Sequence, residues 1–181
     1  MVALRARRMP AATSEASPAG RAFVALGANL GDARRNVLAA AAELGRLPGT
    51  RLVRLSSLYR TAPVGYADQP DFINAVAELH TALGARDLLR ALLAIERAHG
   101  RERSFANAPR VLDLDLLLHG AEWLDDDELR LPHPRMHERA FVMAPLAEIA
   151  PALQVPGHGT AAELARALLA AQGAGISRLE D

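Results

Sequence analysis

Two aspartates stand two residues apart in Pro109-Arg110-Val111-Leu112-Asp113-Leu114-Asp115-Leu116-Leu117-Leu118. The apolar run around them predicts a strand over residues 111–118. Residues two apart share a strand face, so Asp113 and Asp115 point together, about 7 Å apart, while Leu112, Leu114 and Leu116 fill the other face. Two carboxylates so placed repel each other, and burying them is costly without a cation. Oxygen ligands at this spacing suit Mg²⁺, which takes few protein ligands and completes its octahedron with water and phosphate oxygens. Two solvated aspartates on an edge strand would have the same spacing. Arg101, Arg103 and Arg110 flank the strand and favour the metal, because guanidinium groups fork onto phosphate oxygens. Carboxylates for a metal beside arginines for phosphate make up the parts of phosphoryl transfer.

Composition narrows the chemistry further. The chain has 181 residues with 21 basic and 21 acidic side chains, and every basic one is arginine. Without lysine there is no P-loop and no Schiff-base enzyme. Without cysteine there is no thiol nucleophile, disulfide framework, iron–sulfur cluster or cysteine zinc site. Phosphate must therefore be handled by arginine and a metal. His133 and His137 stand four apart, a spacing that suits zinc on a helix. Pro134 between them breaks such a helix, and no glutamate follows His133, so His133 is better read as a phosphate or nucleotide contact. Zero net charge argues against a general nucleic-acid binder, and no apolar run approaches the roughly 18–20 residues of a membrane span.

The elements that must position these groups begin after residue 21. Residues 1–21 carry Arg5, Arg7, Arg8 and Arg21 among Ala, Ser and Pro, and read as a disordered extension; a transit peptide is the alternative. The apolar stretch of a secretory signal is missing from them, so a cytoplasmic protein is expected. Residues 22–181 read as one domain. A strand over 22–26 leads to a helix capped by Asn29 and ending at Leu44. Strands follow over 51–59 and 72–80, then an amphipathic helix over 85–99 and the strand with the aspartates. Helices over 137–147 and 160–172 complete the chain. This order predicts an α+β fold, a ferredoxin-like βαββαβ sandwich with helices on one face of a mainly antiparallel sheet.

Further segments join the aspartate strand in a recognisable company. They are Gly27-Ala28-Asn29-Leu30-Gly31, Ser56-Ser57-Leu58-Tyr59-Arg60-Thr61-Ala62-Pro63 and Asp68-Gln69-Pro70-Asp71-Phe72-Ile73-Asn74. Ile95-Glu96, Gly100-Arg101-Glu102-Arg103 and Leu131-Pro132-His133-Pro134-Arg135-Met136-His137-Glu138-Arg139-Ala140-Phe141 follow in order. Over about residues 22–152 the chain resembles the 6-hydroxymethyl-7,8-dihydropterin pyrophosphokinases of folate biosynthesis.

The resemblance implies a ferredoxin-like fold and transfer of pyrophosphate from ATP to the pterin hydroxymethyl oxygen, releasing AMP. It implies that Asp113 and Asp115 hold two Mg²⁺ ions bridging the ATP phosphates. Arg101 and Arg110 match arginines that steady the transferring group, and Arg103 matches a loop arginine that closes over ATP. Glu96, Leu116, His133 and Arg139 fall at nucleotide-contacting positions, and Arg130 stands where some relatives have threonine. Thr61, Val64, Phe72, Asn74 and Phe141 fall at pterin-pocket positions. A flat, electron-poor heterocycle would stack between Phe72 and Phe141, with Asn74 offering a donor and an acceptor to its amide edge. Ala106-Asn107 stands where many relatives carry Arg-Trp.

An enzyme on two small-molecule substrates, a monomer with no nucleic-acid or membrane partner, is therefore expected. A ferredoxin-like RNA-binding module is the alternative from another class. It needs exposed aromatics on its middle strands, and 4 Phe, 2 Tyr and 1 Trp without an aromatic-rich run do not supply them. A non-catalytic paralogue would bind both ligands without releasing AMP.

Overall fold

The computed structural model describes residues 20–63, 68–100, 109–172 and 175–180. Val64, Arg101, Arg103 and the Ala106-Asn107 pair lie outside the described residues. The chain runs β1 (Gly20–Ala28), α1 (Ala33–Leu44), β2 (Thr50–Leu55), β3 (Tyr59–Thr61), β4 (Phe72–Thr81), α2 (Ala85–Ala98) and β5 (Asp113–His119). A hairpin of β6 (Leu124–Asp125) and β7 (Arg130–Leu131) leads through a 3₁₀ turn at Met136–Glu138 into α3 (Ala140–Ile149). A second short hairpin, β8 (Gln154–Val155) with β9 (Gly159–Thr160), precedes α4 (Ala161–Gln172) and β10 (Ile176–Arg178). The main sheet has the order β10-β3-β4-β1-β5, with β2 also on β4, and all these pairs are antiparallel.

The strand predicted over 51–59 is two strands. β2 lies beside the second half of β4 and β3 beside its first half. Between them Ser56 donates its N–H to the Val76 carbonyl, and its hydroxyl accepts the Val76 N–H at 3.0 Å. A serine hydroxyl that competes for ladder hydrogen bonds ends regular pairing at this point. The helix start also differs from expectation. Asp32, not Asn29, caps α1, its carboxylate accepting the Arg35 N–H at 3.0 Å. Asn29 turns inward and is buried.

Helices cover both faces of the sheet, which corrects the expectation of helices on one face. Leu26 and Leu114 face Val37, Leu44, Leu88 and Leu92 of α1 and α2 in one core. The alternate residues Phe23, Val76 and Leu117 face Val142, Met143 and Leu146 of α3 in a second core, which α4 joins through Ala161 and Ala165. The physical reason lies in α3, which is apolar almost all round and must be enclosed rather than half-exposed. β1 and β4 are correspondingly buried on both sides, as strands inside a three-layer arrangement must be.

At its far end α3 is tied to the sheet edge. Glu148 accepts the Ser57 N–H at 3.1 Å, the Ser57 hydroxyl at 2.8 Å and the Tyr59 hydroxyl at 2.8 Å. Burial pushes the Tyr59 phenol up to about 12, and the Glu148 hydrogen bond and charge add to it. Arg178 of β10 donates to the Ser57 hydroxyl at 2.8 Å, and the Ala62 N–H donates to the Gly175 carbonyl at 3.0 Å. The C-terminal strand thus braces β3 beside the site.

Candidate active site

Antiparallel register brings one end of four strands together. Thr61 pairs with Phe72, and Asn74 pairs with Gly27, which in turn pairs with Asp113. Asp115 pairs with Ala25 in the next row on the same face. Gly27, Thr61, Phe72, Asn74, Asp113 and Asp115 line one open cavity, closed on its far side by Arg139 and Phe141 at the start of α3. The alternation of β5 works as anticipated: Leu112, Leu114 and Leu116 enter the first core while both aspartates face the cavity.

The residues on the Asn74 side of the cavity have defined geometry. Asn74 and Thr61 are both buried, and the Asn74 carboxamide donates to the Thr61 hydroxyl at 2.8 Å. That bond anchors the carboxamide beside Thr61. Gly27 lies in the middle of the row, where a Cβ would come within 3.1 Å of Asn74 Oδ1. Phe72 and Phe141 line the same cavity from opposite elements, and the Arg139 guanidinium lies over the Phe141 ring at 5.7 Å.

The opposite side of the cavity is dominated by ion pairs. Arg110 pairs with Asp113 through Nη1. Arg139 Nη1 lies 3.5 Å from Asp115 Oδ2, and His133 Nε2 lies 4.0 Å from the same oxygen. Burial and the Asp113 charge push the Asp115 carboxyl above the ordinary carboxylate range, although His133, Arg139 and Arg110 oppose the shift. Burial likewise pushes the His133 imidazole down, against the pull of Asp115. Burial beside a second carboxylate thus disfavours the charged form of Asp115, a cost that a bound cation would offset. Two hard oxygen donors on one rigid strand fit Mg²⁺.

Not every anticipated residue reaches the cavity. Glu96 is buried beneath β5, where its carboxylate accepts the Leu114 N–H at 2.7 Å, between the two aspartates. Leu116 has its side chain in the first core. Arg130 is exposed on the β6–β7 hairpin, with Nε 3.2 Å from Asp125, and lines a neighbouring hollow that His133 also borders. His133 and His137 do not work as a pair. The His137 ring stacks on His158 at 3.6 Å between centroids, whereas His133 faces Asp115.

Gly27 and Asn29 are the residues that sequence reasoning missed. Both sit in the Gly-Ala-Asn-Leu-Gly segment, but one read as a strand end and the other as a helix cap. Their importance comes from register and burial, which local pattern does not carry.

Comparison with known proteins agrees with this geometry. The sequence model of the 7,8-dihydro-6-hydroxymethylpterin-pyrophosphokinase family matches residues 23–151. A Pseudomonas aeruginosa 2-amino-4-hydroxy-6-hydroxymethyldihydropteridine pyrophosphokinase is 49% identical over 88% of this chain and 96% of its own. The Bacillus subtilis protein of the same name is 43% identical over 78% of this chain and 84% of its own. Among solved structures, a Plasmodium falciparum HPPK-DHPS with pterin and p-hydroxybenzoate superposes with a TM-score of 0.71 at 14% identity. It covers 91% of this chain, and this chain spans 47% of it, so the likeness there speaks to the fold. Fold, motif order and sequence identity converge, and the chain belongs to the 7,8-dihydro-6-hydroxymethylpterin-pyrophosphokinase family.

Proposed function

We propose that this chain transfers a pyrophosphoryl group from ATP to the hydroxymethyl oxygen of 6-hydroxymethyl-7,8-dihydropterin, in tetrahydrofolate biosynthesis. The observation that carries the reading is a single cavity with two chemically different halves. Thr61, Phe72, Asn74 and Phe141 offer flat apolar walls and a buried carboxamide, while Arg110, Asp113, Asp115 and Arg139 offer charge suited to a metal-bound polyphosphate. The pterin hydroxyl oxygen attacks the β-phosphorus, the bond from that phosphorus to the α,β-bridging oxygen breaks with its electron pair leaving on AMP, and the hydroxyl proton passes to solvent. Little covalent chemistry falls to the protein in such a transfer, so positioning and charge stabilisation dominate.

Asn74 and Thr61 orient the pterin edge, and Phe72 and Phe141 hold the ring plane. Asp113 and Asp115 would hold Mg²⁺, two ions in this reading, and the bound metal supplies neutralisation of the phosphate charge. Arg110 and Arg139 keep their guanidinium groups beside those carboxylates, where the transferring group passes. His133 and Arg130 border the nucleotide side, and Glu96 and Leu116 support it from beneath β5. Arg101 and Arg103 complete the phosphate clamp and Val64 the pterin wall, on the strength of the motif match. The strand order β5-β1-β4 followed by β2 and β3 supports a ferredoxin-like frame, extended by β10 and by the α3–α4 layer. A monomer acting in the cytoplasm completes the reading; no helix among the described residues is long and apolar enough to cross a membrane.

The test is AMP release from ATP and Mg²⁺ with and without 6-hydroxymethyl-7,8-dihydropterin. Stoichiometric AMP that depends on the pterin supports the assignment. Ligand-induced thermal stabilisation without AMP would make the chain a binding paralogue.

A further inference from the structure

Asn29 lies one residue beyond β1 and is 4% exposed. Its Oδ1 accepts the Arg110 N–H at 2.7 Å, and its own backbone N–H donates to the Arg110 carbonyl at 2.9 Å. Its Nδ2 donates to Gln69 Oε1 at 2.9 Å and to the Pro70 carbonyl at 3.0 Å. Leu30 adds a second backbone bond to the Arg110 carbonyl at 3.1 Å, and Asn36 donates to the Leu30 and Val111 carbonyls at 3.2 Å each.

Two segments of different purpose meet at this carboxamide. One presents Arg110, whose guanidinium pairs with Asp113. The other runs through Gln69 and Pro70 directly into Phe72 and Asn74. We propose that Asn29 is a positioning residue that ties the two halves of the cavity, setting Arg110 through its carboxamide oxygen and the segment before Phe72 through its carboxamide nitrogen. This rests on the activity proposed above.

The residue type is dictated by the partners. A carboxamide presents an acceptor and two donors in one rigid plane, and the Arg110 N–H and Pro70 carbonyl together decide which end faces which. An aspartate has no donor for Pro70, and an alanine leaves both backbone groups unmatched in a place water reaches poorly. A misplaced Arg110 main chain would carry its guanidinium away from the reacting phosphate, and positional errors of about 1 Å matter where catalysis is positioning.

A double-mutant cycle on AMP release tests this, with the parent, Asn29→Ala, Arg110→Ala and the double variant. In the parent background Asn29→Ala should lower kcat about tenfold and raise the pterin KM about tenfold, with the ATP KM within about twofold. In the Arg110→Ala background the same substitution should leave kcat unchanged and still raise the pterin KM. An equal kcat loss in both backgrounds overturns the proposal, because a general folding defect is additive. Should Asn29→Ala fail to fold, Asn29→Asp carries the test. It keeps the oxygen facing Arg110, so kcat within about threefold of the parent with a raised pterin KM is expected. An unchanged pterin KM in Asn29→Asp overturns the proposal. A parent that releases no AMP overturns the activity itself, a result distinct from an active parent with an additive cycle.

Discussion

Asn74 and Asp113 stand in one row of the sheet, separated only by Gly27 on the strand between them. The residue proposed for the heterocycle and one proposed for the metal are therefore two strand spacings apart, roughly 10 Å at the usual separation. A dihydropterin with its hydroxymethyl arm spans such a distance. In the proposed reading the row would span the substrate along its long axis.

Replacing either aspartate should remove the metal while sparing the fold. Asp113→Ala and Asp115→Ala are each expected to lower turnover by at least about a hundredfold, with circular dichroism unchanged. Near-normal rates at saturating Mg²⁺ would remove that residue from the metal site.

Asp115 should also expose a conflict between function and stability. Its folded-state pKa is raised by burial and by Asp113, so the ionised form is the less favoured one in the folded protein. The resulting cost to folding is absent below the unfolded value of about 3.9 and fully present above the folded value. Asp115→Asn is therefore expected to melt higher than the parent at neutral pH, without activity, and the difference should shrink as the pH falls through the carboxylate range. Thermal melts of both proteins between pH 3 and 8 check this. A lower melting temperature for Asp115→Asn at neutral pH would contradict it.

On the pterin side, Asn74→Ala is expected to weaken pterin binding by roughly 1–3 kcal/mol, since a buried amide edge loses its matched partners. ATP affinity should hardly move. Titration calorimetry with each ligand separates the cases, and equal losses for both would make Asn74 a structural residue only.

Gly27→Ala probes the bare centre of the row. The added methyl would approach Asn74 Oδ1 at 3.1 Å, and Asn74 is held by Thr61 and cannot swing away freely. Pterin affinity should fall by about 1–3 kcal/mol, with the ATP KM unchanged. Undiminished pterin affinity would mean that the ring does not lie over this stretch of β1.

Much of this site was legible in the chain before its fold. The period-two alternation of Leu112–Leu116 is enough to aim Asp113 and Asp115 together, because a strand has only two faces. The motif order named the cavity residues that the register then brings together. Other features needed three dimensions. Asn29 resembles a helix cap in any local reading, but Asp32 sits at the helix start and leaves Asn29 to bridge segments 40 and 81 residues away. The face on which α3 lies was hidden for the opposite reason. Its apolar residues surround the helix, so no stripe indicates a direction, and Phe23, Val76 and Leu117 became a core only once it covered them. Glu96 matched a nucleotide position by motif, yet its carboxylate spends a hydrogen bond on the main chain of β5.

The glycine at the centre of the row bears on how resistance to an inhibitor could arise. A ligand that draws its contacts from side chains can be evaded by exchanging those side chains. Gly27 itself offers only main chain, and in the proposed reading every codon change that alters the residue adds atoms where the pterin would rest. If the pterin lies as proposed, a compound confined to its outline above Gly27, with its polar edge on Asn74, would leave the target little room to exclude it without excluding the pterin as well.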